Sequence, residues 1–189
     1  MKNNRLWMLA TGILLAAARP AAAHDEGLYL GASAGVAHYI ETCQTPGLTV
    51  QCDDKDNAWR AFGGYQFNRW GSLELGYLDL GKLRADAPGF VQETEITGFD
   101  LVGVVSFQVT NRLYLFGKLG GYRMRVATEV NGAGSGGETS SGFAFGLGTE
   151  YALGPIGIRA EFVRYDNVGG ERVGTDNVVF YNASLLWRF

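Results

Sequence analysis

The sequence predicts an all-β chain closed into an eight-stranded antiparallel up-and-down transmembrane β-barrel. Three observations predict it. Apolar and polar residues alternate with a period of two over eight segments, the connections between segments are alternately long and short, and the aromatic register is the one suited to face outward. Composition agrees: 28 glycines, 24 aromatics (11 Phe, 9 Tyr, 4 Trp) and only four prolines. Beyond residue 23, no apolar stretch approaches the roughly 20 residues that a spanning helix needs.

The first 23 residues have a different character. Lys2 and Arg5 precede an apolar run from Leu6 to Ala18, and Ala21-Ala22-Ala23 supplies a small-residue cleavage site. These are the parts of a secretory signal peptide in order, so residues 1–23 are expected to be removed and 24–189 to form one exported barrel domain. Without Lys2, Arg5 and Arg19 the chain keeps 13 basic against 19 acidic side chains, a formal charge of -6. With no basic stripe to neutralise phosphates, nucleic acid is not an expected partner. Cys43 and Cys52, the only cysteines, flank Pro46-Gly47. In an oxidising envelope they read as a disulfide closing a short loop, whereas two thiols without a nearby histidine make a poor metal site. No cofactor or metal is expected.

The strands follow in order. Leu28 to Ile40 opens the barrel. Trp59, Ala61, Gly63, Tyr65 and Phe67 then alternate with Arg60, Phe62, Gly64, Gln66 and Asn68, and Leu73, Leu75 and Tyr77 alternate with Ser72, Glu74 and Gly76. Phe99, Leu101, Gly103, Val105 and Phe107 oppose Asp100, Val102, Val104 and Ser106, while Leu113, Leu115, Gly117 and Leu119 oppose Tyr114, Phe116, Lys118 and Gly120. The pattern continues from Phe143 to Leu153, from Gly157 to Phe162 and from Val178 to Phe189. Long polar connections are expected over about 41–57, 82–95, 127–141 and 166–177, with short turns at 68–71, 108–112 and Gly154-Pro155. Outer-membrane barrels show this asymmetry, with short periplasmic turns and longer external loops.

Charge decides which face meets lipid. Glu74, Lys118, Glu150, Arg159 and Glu161 share a register with glycines, which suits a narrow lumen, while the aromatic register suits hydrocarbon and its interfaces. A two-residue turn at Gly154-Pro155 places Leu153 opposite Ile156 and therefore Glu150 opposite Arg159, an opposite-charge cross-strand pair inside the barrel. Taken as an isolated pair, it should recover much of its stability when both charges are reversed together.

Several of these segments carry a family resemblance. Residues Ala61 to Asn68, Leu73-Glu74-Leu75-Gly76-Tyr77, Lys118-Leu119-Gly120-Gly121, Gly148 to Ala152, Arg159-Ala160-Glu161-Phe162 and Trp187-Arg188-Phe189 together resemble the OmpA-type transmembrane domain in order and spacing. The resemblance implies an interior salt-bridged plug and gate, with Glu74, Lys118, Glu150, Arg159 and Glu161 at its positions. The chain departs from the pattern at Val104, where the family carries a basic residue. It also stops at Phe189, before the periplasmic peptidoglycan-binding domain that often follows such barrels.

Function is then expected at the outer membrane of a Gram-negative bacterium, in a structural or surface-interaction role: envelope integrity, adhesion, or contact with host or lipopolysaccharide. A narrow pore for ions or small solutes is the alternative. A lipid-modifying enzyme is the contrasting class, but beyond residue 23 the only histidines are His24 and His38, and nothing pairs with His38 by spacing. Arg123, Arg125 and Arg164 lie on the outward register toward the external ends of their strands, as candidate lipopolysaccharide contacts. Snorkelling arginines at a rim are the plainer reading. The external loops offer a surface for a host ligand. Trp187 and Phe189 close the last strand on the outward register, resembling the terminal signal recognised by the barrel assembly machinery.

The cysteine pair gives the first test. Closing so small a ring should restrict the first external loop by about 2–3 kcal/mol in the chain-entropy model. Thiol labelling of unreduced, denatured protein is expected to find neither Cys43 nor Cys52 reactive, and two labelled thiols would overturn the bridge.

Overall fold

In a bilayer every backbone N–H and C=O must be paired within the protein, and a sheet achieves this only by closing on itself. The computed structural model describes residues 26–40, 51–53, 55–87, 90–130, 134–170 and 174–189. In chain order its strands are β1 (Gly27–Tyr39), β2 (Gln51–Asp53), β3 (Lys55–Gln66), β4 (Gly71–Ala87), β5 (Phe90–Gln108), β6 (Leu113–Val130), β7 (Gly134–Leu153), β8 (Ile156–Gly170) and β9 (Gly174–Arg188). All pairings are antiparallel, each barrel strand beside its sequence neighbours, and β1 closes on β9 from Tyr29↔Arg188 to Tyr39↔Val178. The wall is therefore an eight-stranded barrel. The three-residue β2 lies outside that count, pairing with the hairpin end of β4 so that Cys52 faces Ala85 in the ladder. Cys43 lies outside the described residues, and the expected disulfide with it.

The short turns form for local reasons. Asn68 Oδ1 accepts hydrogen bonds from the backbone N–H groups of Trp70 (2.8 Å) and Gly71 (3.0 Å), and Thr110 Oγ1 accepts one from Leu113 N–H at 3.1 Å. Gly154 has φ +61°, the left-handed value that a two-residue hairpin turn needs at its first central position, and Leu153 faces Ile156 across it.

The opposite end differs from the sequence expectation. Much of 82–95 and 127–141 is not irregular connection but continued ladder, from Lys82↔Glu95 to Ala87↔Phe90 and from Ala127↔Gly137 to Val130↔Gly134. Strands beyond the membrane no longer need a lipid face, so they lose the apolar alternation that marks a strand in sequence while keeping their backbone pairing. A bulge between Asp79 and Lys82, built on Gly81 at φ +82°, marks where β4 leaves its regular register.

The glycines of the inward register answer to packing. Three large lumen side chains lie over glycines on the adjoining strand: Tyr29 over Gly64, Phe62 over Gly31, Phe116 over Gly148. A Cβ at Gly64 would stand 2.2 Å from Tyr29 Cζ. On the outward register the same addition is harmless, since a Cβ at Gly103 meets nothing nearer than Leu119 O at 3.7 Å. Gly64→Ala should therefore destabilise the barrel by about 1–3 kcal/mol through overpacking, and Gly103→Ala should leave it unchanged or slightly firmer. Urea unfolding after refolding into liposomes compares them, and equal effects would mean that the lumen is not filled to contact.

Candidate functional site

The inward register carries two layers. Near the middle of the barrel, among the described residues, four buried cations (Arg60, Lys118, Arg159, Arg188) meet four buried carboxylates (Glu74, Asp100, Glu150, Glu161), so the layer is neutral as a whole. Isolated charges so deeply buried would be costly, and pairing is what permits them.

Glu74 is the hub. Its Oε2 lies 3.2 Å from Arg60 and 3.0 Å from Lys118, its Oε1 lies 2.5 Å from Arg159, and the Tyr29 hydroxyl donates to Oε1 at 3.0 Å. Arg159 also donates from Nε to Glu150 Oε2 at 2.8 Å, and Arg188 donates to Glu150 Oε1. Lys118 reaches on to Glu161 Oε2 at 2.7 Å, an ion-pair contact whose angles fall outside hydrogen-bond geometry. Phe62 and Phe116 flank the cations, with the Arg159 guanidinium 4.9 Å and the Lys118 ammonium 5.4 Å from the Phe116 ring centre. All five charged residues taken from the sequence as lumen charges thus meet in one connected set.

Sequence reasoning missed Arg60, Asp100 and Arg188. Arg60 grips Asp100 through Nη2 to Oδ1 at 2.8 Å and Nε to Oδ2 at 2.9 Å, and the Tyr165 hydroxyl donates to Oδ2 at 3.0 Å. Gly76, between them, makes the room: a Cβ there would lie 2.4 Å from Arg60 Nε. That glycine opposite Asp100 was the available signal. Val104 is buried, as its register requires, and Arg60 enters the charge set from another strand.

Toward the hairpin end the lumen changes chemistry. Leu78, Leu80, Ile96, Met124, Val163, Tyr165, Val178 and Phe180 pack together as a buried apolar plug, with Ala37, Tyr39 and Val126 around them. The sequence reading anticipated charges and small residues inside. It did not anticipate this plug, because here both registers are apolar, as in Val178-Val179-Phe180-Tyr181.

The outward candidates stay apart from this layer. Arg164 is paired with Asp166 at 2.6 Å and lies near the Phe145 ring, whereas Arg123 and Arg125 are exposed on β6. Trp187 faces Leu30 and Ile156 across the ladder, and the Phe189 N–H donates to Leu28 O at 3.0 Å with its ring exposed.

Comparison with known proteins fits this architecture. The family model of the OmpA-like transmembrane domain matches residues 23–189. Outer membrane protein A of Shigella flexneri is 30% identical over 161 residues, covering 82% of this chain and 46% of that protein. The Escherichia coli O157:H7 protein of the same name is 30% identical over 157 residues, covering 82% and 45%. The chain spans a little under half the length of these relatives. Among solved structures, Neisserial surface protein A superimposes with a TM-score of 0.66 at 17% identity, over 86% of this chain and 97% of that one. The N-terminal β-barrel domain of Pseudomonas aeruginosa OprF superimposes with a TM-score of 0.56 at 14% identity, over 87% and 100%. At such identities the likeness is one of fold.

The shared partners revise the charge-reversal expectation. Reversing Glu150 and Arg159 together would set an arginine against Arg188 and a glutamate against Glu74, so the double reversal should recover little of the loss. Glu74→Gln should cost the most among the neutralisations, about 3–5 kcal/mol, since it leaves three buried cations short of a counter-charge. Glu161→Gln should cost clearly less. Equal unfolding midpoints for the two Gln variants in urea would show that Glu74 is no hub.

Proposed function

The chain belongs to the OmpA-like transmembrane domain family and is an integral β-barrel of the Gram-negative outer membrane; on that premise we propose that it works as a closed barrel, with its structural or surface-interaction role exercised by what it presents outside the bilayer. The observation that carries this reading is the filled lumen. An eight-stranded barrel is just wide enough for its interior to be filled by side chains, and here the charged layer is followed by the apolar plug of Leu78, Leu80, Met124, Val163 and Phe180. A hydrated ion that passed the charges would next have to enter a mainly apolar layer whose few hydroxyls, on Tyr39, Tyr122 and Tyr165, are already engaged by the protein, at a cost of several kcal/mol.

The outside of the barrel supports the same reading. About 9–11 residues suffice for a transmembrane strand, yet β5 has 19 residues and β7 has 20, so paired backbone continues well past the hydrocarbon. These hairpins form a scaffold on which a host or surface ligand could be met. The alternative of a narrow pore finds no comparable support, because rearranging the ion pairs around Glu74 would leave the apolar layer in place.

Reconstitution into planar bilayers tests the proposal. Both the native chain and Glu74→Gln are expected to be silent. Long-lived discrete openings in the native protein would establish a pore, and openings confined to the variant would show that the charges, not the plug, hold the lumen shut.

A further inference from the structure

The outward register of β6 reads Leu113, Leu115, Gly117, Leu119, Gly121, Arg123, Arg125, apolar or small until it delivers two arginines in succession. Strand rise and tilt set their height. Ten residues at about 3.3 Å, inclined at roughly 40°, lift Arg123 about 25 Å above Leu113, which is the height of the apolar band of such barrels. Arg125 stands about 5 Å higher by the same measure. Both guanidinium groups are therefore held at the outer edge of the hydrocarbon.

Their lack of a counter-charge sets them apart from nearby cations on the outside of the barrel. Lys82 has Glu95 at 3.8 Å and Arg164 has Asp166 at 2.6 Å. Among the described residues no carboxylate pairs with Arg123 or Arg125, and their ladder partners are Phe99 and Ser141 for Arg123, Thr97 and Thr139 for Arg125. Two arginines rooted about 7 Å apart on one strand face, bordered by three hydroxyl-bearing residues, make a site for a phosphate that comes from outside the protein.

The surface just below has a matching shape. Gly121 lies between Leu101 and Phe143, which are 51% and 73% exposed, and leaves a notch directly beneath Arg123. Packing does not demand the glycine, because a Cβ there would meet only Gly142 O at 3.5 Å, an ordinary contact. Lumen glycines such as Gly31, Gly64 and Gly148 differ, with side chains pressed against them.

We propose that Arg123 and Arg125, with Thr97, Thr139 and Ser141, bind a phosphate of the acylated glycolipid of the outer leaflet, lipopolysaccharide, and that one of its acyl chains lies over Gly121 between Leu101 and Phe143. The proposal rests on the outer-membrane reading with the hairpins facing outward. It makes this side of the barrel a specific lipid contact and not a merely tolerant wall.

The test uses the full chain refolded into phosphatidylcholine nanodiscs, with folding checked by heat-modifiable gel mobility. Binding is measured for diphosphorylated lipid A, its dephosphorylated form, phosphatidylglycerol and inorganic phosphate. Arg123→Gln/Arg125→Gln should weaken diphosphorylated lipid A at least tenfold, Gly121→Leu should weaken it several-fold, and Arg164→Gln, which loses only an arginine already paired to Asp166, should leave it unchanged. Dephosphorylated lipid A, phosphatidylglycerol and inorganic phosphate should each bind at least tenfold more weakly. Unchanged binding by the double variant, or equal binding of phosphatidylglycerol or of dephosphorylated lipid A, overturns the proposal. Protease accessibility of the hairpins on intact cells separates the premises: hairpins cut only after the outer membrane is breached overturn the orientation too, whereas hairpins cut from outside leave the barrel reading standing whatever the lipid result.

Discussion

Closure of β1 onto β9 is the constraint from which the other features follow. Once the ladder from Tyr29↔Arg188 to Tyr39↔Val178 completes the ring, no strand edge meets lipid, and the interior is fixed at the width that eight strands allow. That width is too small for bulk water and too large for small side chains alone. The chain fills it by setting big inward residues over glycines on neighbouring strands, as Tyr29 over Gly64 and Phe116 over Gly148. High glycine and high aromatic content, which look like opposite tendencies in the composition, are two halves of one packing solution.

Filling a tube with charge has its own rule. Four cations against four carboxylates leave the layer neutral, and Arg60, Glu74, Lys118, Glu150 and Arg159 are each shared between two or more partners, so no pair can be removed without disturbing another. Buried ion pairs contribute little net stability compared with apolar packing of equal volume, because desolvation consumes most of the attraction. The apolar plug toward the hairpins therefore supplies the cohesion, while the charges fix geometry: Glu74 ties β4 to β3, β6 and β8 across the lumen. A barrel built this way is cross-braced from within, and its wall strands are spaced by specific contacts as well as by the ladder.

What could be read from the sequence follows the range of the interactions involved. Alternation and turn chemistry are local, so the eight strands, the inward face of Glu74 and Lys118, and the register that sets Glu150 opposite Arg159 follow from neighbouring residues and from Gly154-Pro155. Arg60 with Asp100 was harder to read because the pair bridges β3 and β5 over the intervening β4, and adjacent-strand register offers only an indirect sign of it, the room left by Gly76 opposite Asp100. The Tyr165 hydroxyl reaching Asp100 from β8 is longer-range still. The hairpin extensions were missed for the opposite reason. Their ladders are local, but outside the membrane no lipid enforces the pattern by which a strand is recognised.

The wall is uneven, and this bears on where the molecule meets its surroundings. β1 and β3 have 13 and 12 residues, enough to cross the bilayer with little to spare, whereas β5, β6 and β7 have 19, 18 and 20. At about 3.3 Å per residue and roughly 40° of tilt, β7 rises about 50 Å, twice the apolar band, so one side of the barrel stands as a tall palisade above the membrane. Backbone pairing in water contributes modestly per residue, and little in the stability of the membrane-embedded ring requires it. Arg123 and Arg125 lie at the foot of that palisade, where the strand leaves hydrocarbon and its neighbours offer hydroxyls in place of apolar side chains. The tall side is therefore one on which lipid headgroups, and whatever lies above them, meet a continuous paired surface.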